Sequence, residues 1–473
     1  MDFSFGPDDE RFRAEARAWL DAHLVGDFAD LADPARTGEL TGTAGGTVAT
    51  EVMSAGATPP RAPTPTPSAP APSLASSALP SARLQRTAWE RELGADGWIG
   101  LGWDRGHGDW GNRAATLTQQ VVWAEEYARA AAPSRVGHIG ENLLAPTLIA
   151  FGDQAQRDRF LPPIARGEEL WCQGYSEPGA GSDLAGLRTA AVRDKADGTY
   201  RITGQKIWTS LAQYADWCFV LARTEPGSQR HRGLSFLLVP MDQPGRIEVR
   251  PIRQMSGAAE FNEVFFDGAV ADAEHIVGGP GNGWHVAMGL LAVERGVSTL
   301  VQQIGFAEEL DRVISLAVGT GAAEDPVLRD RLVRQWAELR TMRWNALRTL
   351  GTDPGTGTTP RTNGTNPRTN PGTHGTSPHT ATGPRTAPDP GAPNVAKLLW
   401  GGWHQRLGEL AMQARGGESA FGPADWAADR PYELDPLQHL FLFSRADTIY
   451  GGSDEIQRTI IAERVLGLPK EPR

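Results

Sequence analysis

One stretch, residues 171–210, constrains the fold more than any other part of the chain. It begins with a turn rich in glycine and hydroxyl groups, Ser176–Asp183 (SEPGAGSD), and ends in the strand-like run Lys206–Ser210 (KIWTS). Between them, two segments of alternating polarity are separated by the pair Asp197-Gly198, which is a typical hairpin signal. The turn, the hairpin and the Trp-Thr-Ser run are therefore predicted to form one β unit.

The turn has the chemistry that a phosphate-bearing cofactor requires. Gly179 and Gly181 allow the backbone to approach closely, and exposed N–H groups in such a turn can receive an anion. Ser176 and Ser182 add hydroxyl donors, and Trp208 offers a flat face for a ring. An ordinary Pro-Gly loop beside a core tryptophan is the alternative, because short glycine motifs are weak evidence alone. The spacing between the turn and Trp-Thr-Ser favours the cofactor.

The same stretch resembles the flavin-binding segment of acyl-CoA dehydrogenases, which combines an SEPGAGSD turn with a downstream W-T-S. The resemblance covers most of the chain outside two low-complexity inserts and continues in three further motifs: Phe261–Val270 (FNEVFFDGAV), Gly281–Gly296 (GNGWHVAMGLLAVERG) and Ile449–Gly467 (IYGGSDEIQRTIIAERVLG). It implies an α+β, acyl-CoA dehydrogenase-like fold. That fold has an N-terminal helical domain, a middle antiparallel β domain and a C-terminal helical bundle.

The hydrophobic periodicity divides the chain into the same three parts. Helical spacing dominates residues 1–169, an alternating period of two dominates residues 170–278, and helical spacing returns over residues 279–473. These ranges are the predicted N-terminal, flavin-binding and C-terminal domains. Helices are predicted at 8–24, 84–97, 114–131, 142–151, from 153, from 283, at 303–318 and at 326–350, and strands at 217–223, 234–240, 248–252 and 261–266.

Two low-complexity segments interrupt the helical domains, at residues 37–85 and 351–394. They are dominated by Thr, Pro, Gly, Ala, Ser or Asn and have no apolar period. Such segments cannot bury enough apolar surface to offset their ordering entropy, so we predict surface inserts or linkers. His374 and His379 lie in the second insert without a cysteine or an acidic cluster nearby, and no metal site is predicted.

Composition limits the classes of function and location. The 473 residues can bury a core for two or three domains, and a formal net charge of -11 argues against a general binder of nucleic acid or anionic membranes. No apolar run approaches the roughly 20 residues of a membrane span. The N-terminus lacks an apolar signal-peptide region, and Cys172 and Cys218 form no metal or disulfide pattern. We therefore expect a cytoplasmic protein.

The reaction that the resemblance implies is α,β-dehydrogenation of an acyl-CoA thioester in fatty-acid or lipid metabolism. A base removes the α proton while a hydride passes from Cβ to N5 of FAD, and electron-transfer flavoprotein or another acceptor then reoxidises the flavin. The α C–H is weakly acidic, so the carbonyl must be polarised and the base must be a carboxylate in a dry pocket. Burial raises a carboxyl pKa and makes it a better base near neutrality.

Two positions serve as the base in different branches of this family. One follows the tyrosine of the C-terminal turn, and here it is Gly451, which cannot act. The other precedes an arginine on a helix, and here it is Glu294, followed by Arg295. Glu294 is therefore the predicted base, although a Glu-Arg pair on a solvated helix face is the alternative. By resemblance, Arg295 positions the substrate or its CoA moiety, and Tyr450 and the Gly451 N–H lie at the thioester carbonyl.

The resemblance also assigns the flavin contacts. Ser176 is expected at the edge of the flavin ring and Ser182, in the Gly181 turn, at the pyrophosphate. Trp208 is expected to pack near the ring, with Ser210 on its N5 and O4 side. Main-chain groups near the ring are expected at Gln173, Tyr175 and Thr209. The remaining predicted contacts involve a second subunit or the adenosine side: Gln413, Gly416, Gly417, Ser453 and Glu455.

A cofactor shared between subunits implies a dimer or tetramer. Two departures from the family pattern affect that interface. Many members carry an arginine beyond the catalytic helix that binds the neighbouring flavin, whereas residues 317–326 read AVGTGAAEDP. The Gly416-Gly417 turn continues with Glu418-Ser419 rather than with another glycine. A homo-oligomer is therefore expected, and a hetero-oligomer in which a partner chain supplies these contacts is the alternative.

Two other functions fit the same motifs. The substrate can be an acyl chain on a carrier protein rather than on CoA, or the chain can be a non-catalytic flavin-binding subunit that supports an active partner. Bleaching of a bound yellow flavin by acyl-CoA distinguishes an enzyme from a supporting subunit. Chain length and branching of the acyl group are not encoded in any motif that we identify.

Overall fold

The computed structural model describes residues 5–32, 79–103, 110–293, 297–350, 392–422 and 434–470. Most of both predicted inserts lies outside these ranges, and so does the Glu294-Arg295 pair. Side chains of residues 292–300 are likewise outside the description. The fold is that of an α+β protein with helices on either side of a β domain, as predicted.

The N-terminal part is helical, and local sequence explains where its helices begin. Asp153 caps the helix predicted from residue 153, because its carboxylate accepts the Gln156 N–H at 2.8 Å. One helix begins at Leu79, inside the segment predicted as an insert, so that boundary is corrected. The helices are α1 (Pro7–His23), α2 (Asp27–Ala32), α3 (Leu79–Ala95), α4 (Leu117–Arg129), α5 (Ala145–Phe151) and α6 (Gln154–Ala165), with a π-helical turn at Gly140–Leu144 before α5.

The middle part is one sheet, in which the described residues form eight strands. Its hairpin turns at Asp197-Gly198 as predicted, with Gly198 at φ +77° and Asp197 accepting the Thr199 N–H at 2.9 Å. The strands are β1 (Trp171–Gly174), β2 (Ala190–Arg193), β3 (Tyr200–Ser210), β4 (Trp217–Arg223), β5 (Leu234–Pro240), β6 (Ile247–Ile252), β7 (Phe261–Ala271) and β8 (Ile276–Val277).

The sheet is mixed, which corrects the expectation of a purely antiparallel domain. Its strand order is β6-β7-β3-β2-β4-β5-β8, and β1 pairs with β4 in addition. The β1–β4 pair is parallel, with Cys172 opposite Cys218, and β2 meets β4 in parallel at a single pair. All other pairs are antiparallel. The parallel pair brings the start of the glycine turn beside the centre of the sheet.

The C-terminal part is a bundle of helices. The second insert separates two of its helices, and these are tied by Gln335, whose carbonyl accepts the Trp403 indole N–H at 2.9 Å. The helices are α7 (Gly283–Val293), α8 (Val297–Gly319), α9 (Pro326–Leu350), α10 (Ala392–Arg415), α11 (Pro436–Phe443) and α12 (Asp454–Ile460), with a π-helical turn at Ile461–Val465. Helix α10 begins at Ala392, two residues before the predicted end of the second insert, so that boundary is corrected too.

One hydrophobic cluster joins all three parts. It contains Leu148 of α5, Phe160 of α6, Phe236 of β5 and Leu290 of α7, all fully buried. Val286 and Leu290 belong to the apolar stripe that the helical period predicts, and both are buried. The cluster therefore holds α7, the helix that leads to Glu294, against both the N-terminal helices and the sheet.

No helix within the described ranges is long and apolar enough to cross a membrane. Nor do those residues contain a group of three or more His, Cys, Asp and Glu side chains that could hold a metal ion.

Candidate active site

The glycine turn is fastened to β3 by a buried ion pair. Lys206 is fully buried, and its ammonium donates to Glu177 Oε1 at 2.9 Å, to the Tyr175 carbonyl at 3.0 Å and to the Leu221 carbonyl at 2.8 Å. The Ile207 N–H also donates to the Ser176 carbonyl at 2.9 Å. These bonds bring the two predicted halves of the flavin site together, although they lie about 30 residues apart in sequence.

Glu177 extends the same fastening to the start of β2. Its carboxylate accepts the N–H groups of Arg188 at 2.7 Å and Thr189 at 2.9 Å. Burial alone would raise the pKa of Glu177, but the Lys206 charge and these donors lower it below its ordinary value. Burial lowers the pKa of Lys206, and contact with Glu177 offsets part of that effect. The ion pair therefore holds the turn from its buried side and leaves the exposed side available.

The exposed side of the turn has open space around its glycines. A Cβ built on Gly179 or Gly181 would meet no described atom within 4 Å. Ser182 is exposed and Ser176 is half-buried. A turn with close backbone approach, hydroxyl donors and space in front of it fits a phosphate-bearing group such as the FAD pyrophosphate.

Trp208 is held in an unusual conformation at the other end of the site. The β3–β7 register shifts between Lys206 and Thr209, and at this irregularity Trp208 has φ +60°. A bulky residue in the left-handed region costs of order 1–3 kcal/mol, and such outliers cluster at functional sites. Its indole is 56% exposed and meets Phe261 edge to face at 6.0 Å. The bulge therefore presents a flat aromatic surface that fits a flavin ring.

The other predicted ring contacts lie on or directly beside β1 and β3. Gln173 is half-buried in β1, and the buried Tyr175 follows that strand with its ring edge to face with Phe219 at 5.9 Å. Ser210, which ends β3, is half-buried. Thr209 is fully buried, and its hydroxyl has no hydrogen-bond partner among the described atoms. Thr209 and Ser210 directly follow Trp208 in β3, and the Tyr175 carbonyl is tied to the same strand by the Lys206 ammonium.

The predicted carbonyl-binding turn lies before α12. Gly451 has φ +64°, which favours glycine, and the described atom nearest to a Cβ built there is Lys397 Cε at 3.7 Å. Gln457 donates to the carbonyls of Gly451 and Gly452 at 3.3 and 3.1 Å. Tyr450 is 41% exposed and donates to Asp447 at 2.9 Å. The turn is thus held on both sides while Tyr450 remains accessible.

The predicted base, Glu294, and its neighbour Arg295 lie outside the described residues. They fall at the junction where α7 ends at Val293 and α8 begins at Val297. Their roles stay predictions.

The predicted second-subunit contacts occupy the other end of α10. Gln413 is exposed and accepts a bond from Arg331 at 3.3 Å, and Gly416 has φ +60° in the 3₁₀ turn that follows with Gly417. Lys397, beside Gly451, lies 16 residues earlier on the same helix, or ~24 Å away at 1.5 Å per residue. The two predicted groups are therefore well separated within one chain.

The predicted adenosine-side residues lie at the first turn of α12. Ser453 is its N-cap, accepting the Ile456 N–H at 3.4 Å, and Glu455 is exposed. Ser453 therefore has a structural role whether or not it contacts a cofactor.

Sequence reasoning missed the two residues that fasten the flavin turn. Glu177 and Lys206 stand inside the quoted motifs, but a charge in a turn or a strand usually faces solvent. A partial signal exists in the strand pattern, since Lys206 falls on the buried face of β3 together with Ile202. A lysine at a buried strand position requires a buried partner, and Glu177 is the acid that the turn offers.

Comparisons with known proteins place this chain in one family. Residues 75–168, 172–269 and 380–466 match the N-terminal, middle and C-terminal domain models of acyl-CoA dehydrogenase. The chain belongs to the acyl-CoA dehydrogenase family.

Its relatives include two proteins called acyl-CoA dehydrogenase IpdE1. The protein of Mycobacterium tuberculosis is 47% identical over 98% of this chain and 99% of its own. That of Mycolicibacterium smegmatis is 46% identical over 98% of both chains. Among solved structures, the ChsE4-ChsE5 complex from Mycobacterium tuberculosis is 26% identical, covers 100% of each chain and superposes with a TM-score of 0.69.

Family membership confirms three of the sequence predictions. The chain is an acyl-CoA dehydrogenase, an oxidoreductase with the predicted three-part fold. It belongs to a family of FAD-dependent enzymes, so the predicted cofactor is confirmed at that level. The open turn and the bulged Trp208 fit that cofactor on grounds independent of the comparisons.

Proposed function

We propose that this chain catalyses α,β-dehydrogenation of an acyl-CoA thioester, with FAD held by the 176–210 unit and Glu294 as the base. The observation that carries the proposal is the pairing of an open glycine turn with an exposed Trp208 in a strained bulge, both fixed by Lys206. Strain and exposure at one aromatic residue are otherwise unfavourable, and a ring packed on it explains both. When bound, FAD supplies the acceptor for the hydride that leaves Cβ.

Glu294 is proposed to take the α proton. In sequence it directly follows α7, whose residues Val286 and Leu290 are fully buried. The proposed reaction requires a carboxylate in a dry pocket, because burial raises a carboxyl pKa and strengthens it as a base. Gly451, at the other family position, has no side chain that competes for this role.

The Gly451 turn is proposed to polarise the thioester carbonyl. The backbone N–H of Gly451 would donate to that oxygen, and the negative charge that develops there as the proton leaves would strengthen the bond. Gln457 bonds to the carbonyls of Gly451 and Gly452, so the two peptide units that directly follow the Gly451 N–H are held before substrate binds. Pre-orientation of this kind lowers the reorganisation that accompanies the reaction.

An anaerobic bleaching screen tests the function. The purified chain with FAD is mixed with a panel of acyl-CoA thioesters, and with one matching carrier-protein thioester, while the visible flavin band is followed. We expect bleaching by at least one CoA thioester, at a rate above that of the carrier-protein form. A flavin that stays oxidised with every CoA thioester would refute the proposed activity and favour the supporting-subunit alternative.

We further propose that the assembly places the far end of α10 against a neighbouring subunit's flavin. Both departures from the family pattern meet at this end, because Thr320 of the arginine-free α8–α9 turn donates to the Ala414 carbonyl at 3.1 Å. Arg331, which is exposed and reaches Gln413, supplies a positive charge there that the turn itself lacks. In a homo-oligomer, Arg331 of a second copy would supply the charge beside the flavin. In a hetero-oligomer, a group of a different chain would supply it.

Matched arginine variants separate these assemblies. Arg331→Ala is compared with Arg334→Ala, an exposed α9 arginine whose partner, Asp330, lies one turn away. In a homo-oligomer, Arg331→Ala lowers FAD retention on gel filtration and Arg334→Ala does not. Equal FAD retention in both variants, or a purified chain that sediments as a monomer, favours a partner chain of different sequence.

A further inference from the structure

Beneath the Tyr450-Gly451 turn lies a polar network whose members other than Tyr450 have no predicted role. Its centre is Asp447, whose side chain is 1% exposed. One carboxylate oxygen accepts from the Tyr450 hydroxyl at 2.9 Å, and the other contacts His404 Nδ1 at 2.5 Å. His404 Nε2 contacts Glu309 at 2.8 Å on the far side. The chain Glu309–His404–Asp447–Tyr450 thus runs from α8 through α10 to the turn.

Charge makes this network rigid. Burial alone would lower the pKa of His404, but the two carboxylates raise it to about 10, so the imidazolium bridges Glu309 and Asp447 at neutral pH. Charge-assisted hydrogen bonds are shorter and about twice as strong as neutral ones. An imidazolium between two carboxylates therefore fixes Asp447, and through it Tyr450, more firmly than neutral groups would.

Lys397 supports the same turn from a second direction. Its ammonium donates to the Asp447 carbonyl and lies 3.8 Å from the Trp400 ring centroid and 4.7 Å from that of Tyr450. Its Cε lies 3.7 Å from the position of a Cβ on Gly451. Asp447 is therefore held at both its side chain and its carbonyl, three residues before Tyr450.

We propose that His404 and Asp447 are positioning residues for the dehydrogenation, which they serve through Tyr450 by fixing the Gly451 N–H in the direction of the thioester carbonyl. The inference rests on the proposed function and adds residues to it that do not touch substrate or cofactor. A bare apolar contact could hold the turn in place. A directional bond from Tyr450 to an immobilised carboxylate also fixes its orientation, on which a hydrogen bond to a developing charge depends.

The test separates positioning from folding by removing the carbonyl from the ligand. Asp447→Asn, His404→Gln and Tyr450→Phe are compared with wild type for two ligands. These are the thioester that bleaches the flavin fastest in the screen and the CoA thioether with the same carbon chain, which has no carbonyl. A matched control is Glu338→Gln, which alters an exposed pair with Arg406 elsewhere on the α9–α10 surface.

We expect FAD and the thioether to bind as in wild type, whereas the thioester binds more weakly and flavin reduction slows about 10–10²-fold in all three variants. Tyr450→Phe keeps the ring and removes only the link, so it decides the outcome if a buried-charge variant fails to fold.

Two results overturn the inference while leaving the activity intact. One is an unchanged reduction rate in Tyr450→Phe. The other is an equal loss of thioester and thioether affinity, which would show that the network only stabilises the fold. If no thioester bleaches the wild-type flavin, the proposed function fails first and this inference fails with it.

Discussion

At the scale of single residues, the position of Lys206 depends on the shape of its charged group. An ammonium has three tetrahedrally arranged donors, and here each has one acceptor: Glu177, the Tyr175 carbonyl two residues before it, and the Leu221 carbonyl of β4. A planar guanidinium is larger and directs its donors in a fork, so arginine would not fit these three directions.

Removal of this ammonium should release the flavin turn. Lys206→Met leaves Glu177 buried without its partner, which typically destabilises by about 3–5 kcal/mol. We expect a lower melting temperature and loss of FAD on gel filtration. Lys195→Met is the matched control, since Lys195 is exposed on the neighbouring hairpin. Adding Glu177→Gln to Lys206→Met should restore part of the stability, and no restoration would argue against an ion-pair origin.

Replacement of the proposed base tests the chemistry. Glu294→Gln removes the proton acceptor and preserves size, so FAD and thioester binding should persist while single-turnover flavin reduction falls by about 10²–10⁴. Addition of Gly451→Glu moves a carboxylate to the other family position. Because Gly451 has φ +64°, a side chain there costs roughly 1–2 kcal/mol, so recovery should be partial at best. Wild-type reduction by Glu294→Gln would exclude it as the base.

At the scale of elements, structure that depends on neighbouring residues was predictable from the sequence, whereas pairings between distant segments were not. The Asp197-Gly198 hairpin and the Asp153 helix cap depend on neighbours within a few residues, and both were predictable. The parallel pairing of β1 with β4 joins residues 46 apart, with a register that no local pattern encodes. The Lys206–Glu177 bond was not predictable for the same reason, since the two residues meet only in the folded sheet. The motifs predicted the site residues, but not the bonds that fasten the turn to β3.

The His404 network links three elements of the bundle and makes their stability dependent on pH. The folded pKa of His404 is raised to about 10 by Glu309 and Asp447 against the desolvation that opposes it, and its ordinary value is 6.5. A raised pKa contributes stability that is complete below pH 6.5 and is lost as pH rises through about 10.

Denaturant unfolding of wild type and His404→Gln at pH 6.5, 8 and 9.5 measures this contribution. The difference in unfolding free energy between the two proteins should be largest at pH 6.5 and shrink by a few kcal/mol towards pH 10. A difference that is constant with pH would mean that His404 is neutral in the fold.

At the scale of the whole molecule, the insert between α9 and α10 joins helices that are already tied together. Gln335 and Trp403 exchange two hydrogen bonds across them, and their apolar faces share one core cluster. Loop-closure entropy changes slowly with length, so a short connection should serve as well. Deletion of residues 355–390 with a short Gly-Ser link should leave the melting temperature nearly unchanged in a thermal scan. A large decrease would show that the segment packs against the body or a partner.

Because lysine is rare in this chain, chemical modification of its amines can report on local opening of the structure. The 473 residues contain four lysines, Lys195, Lys206, Lys397 and Lys470. Lys195 and Lys470 are exposed, whereas Lys206 and Lys397 are buried at 0% and 6% exposure behind the two turns of the site. An amine-reactive reagent therefore modifies Lys195 and Lys470 in the closed protein, and modifies Lys206 or Lys397 only when the structure around that amine opens. Acylation at these two positions, followed over time by peptide mass spectrometry, would give a separate opening rate for each half of the site.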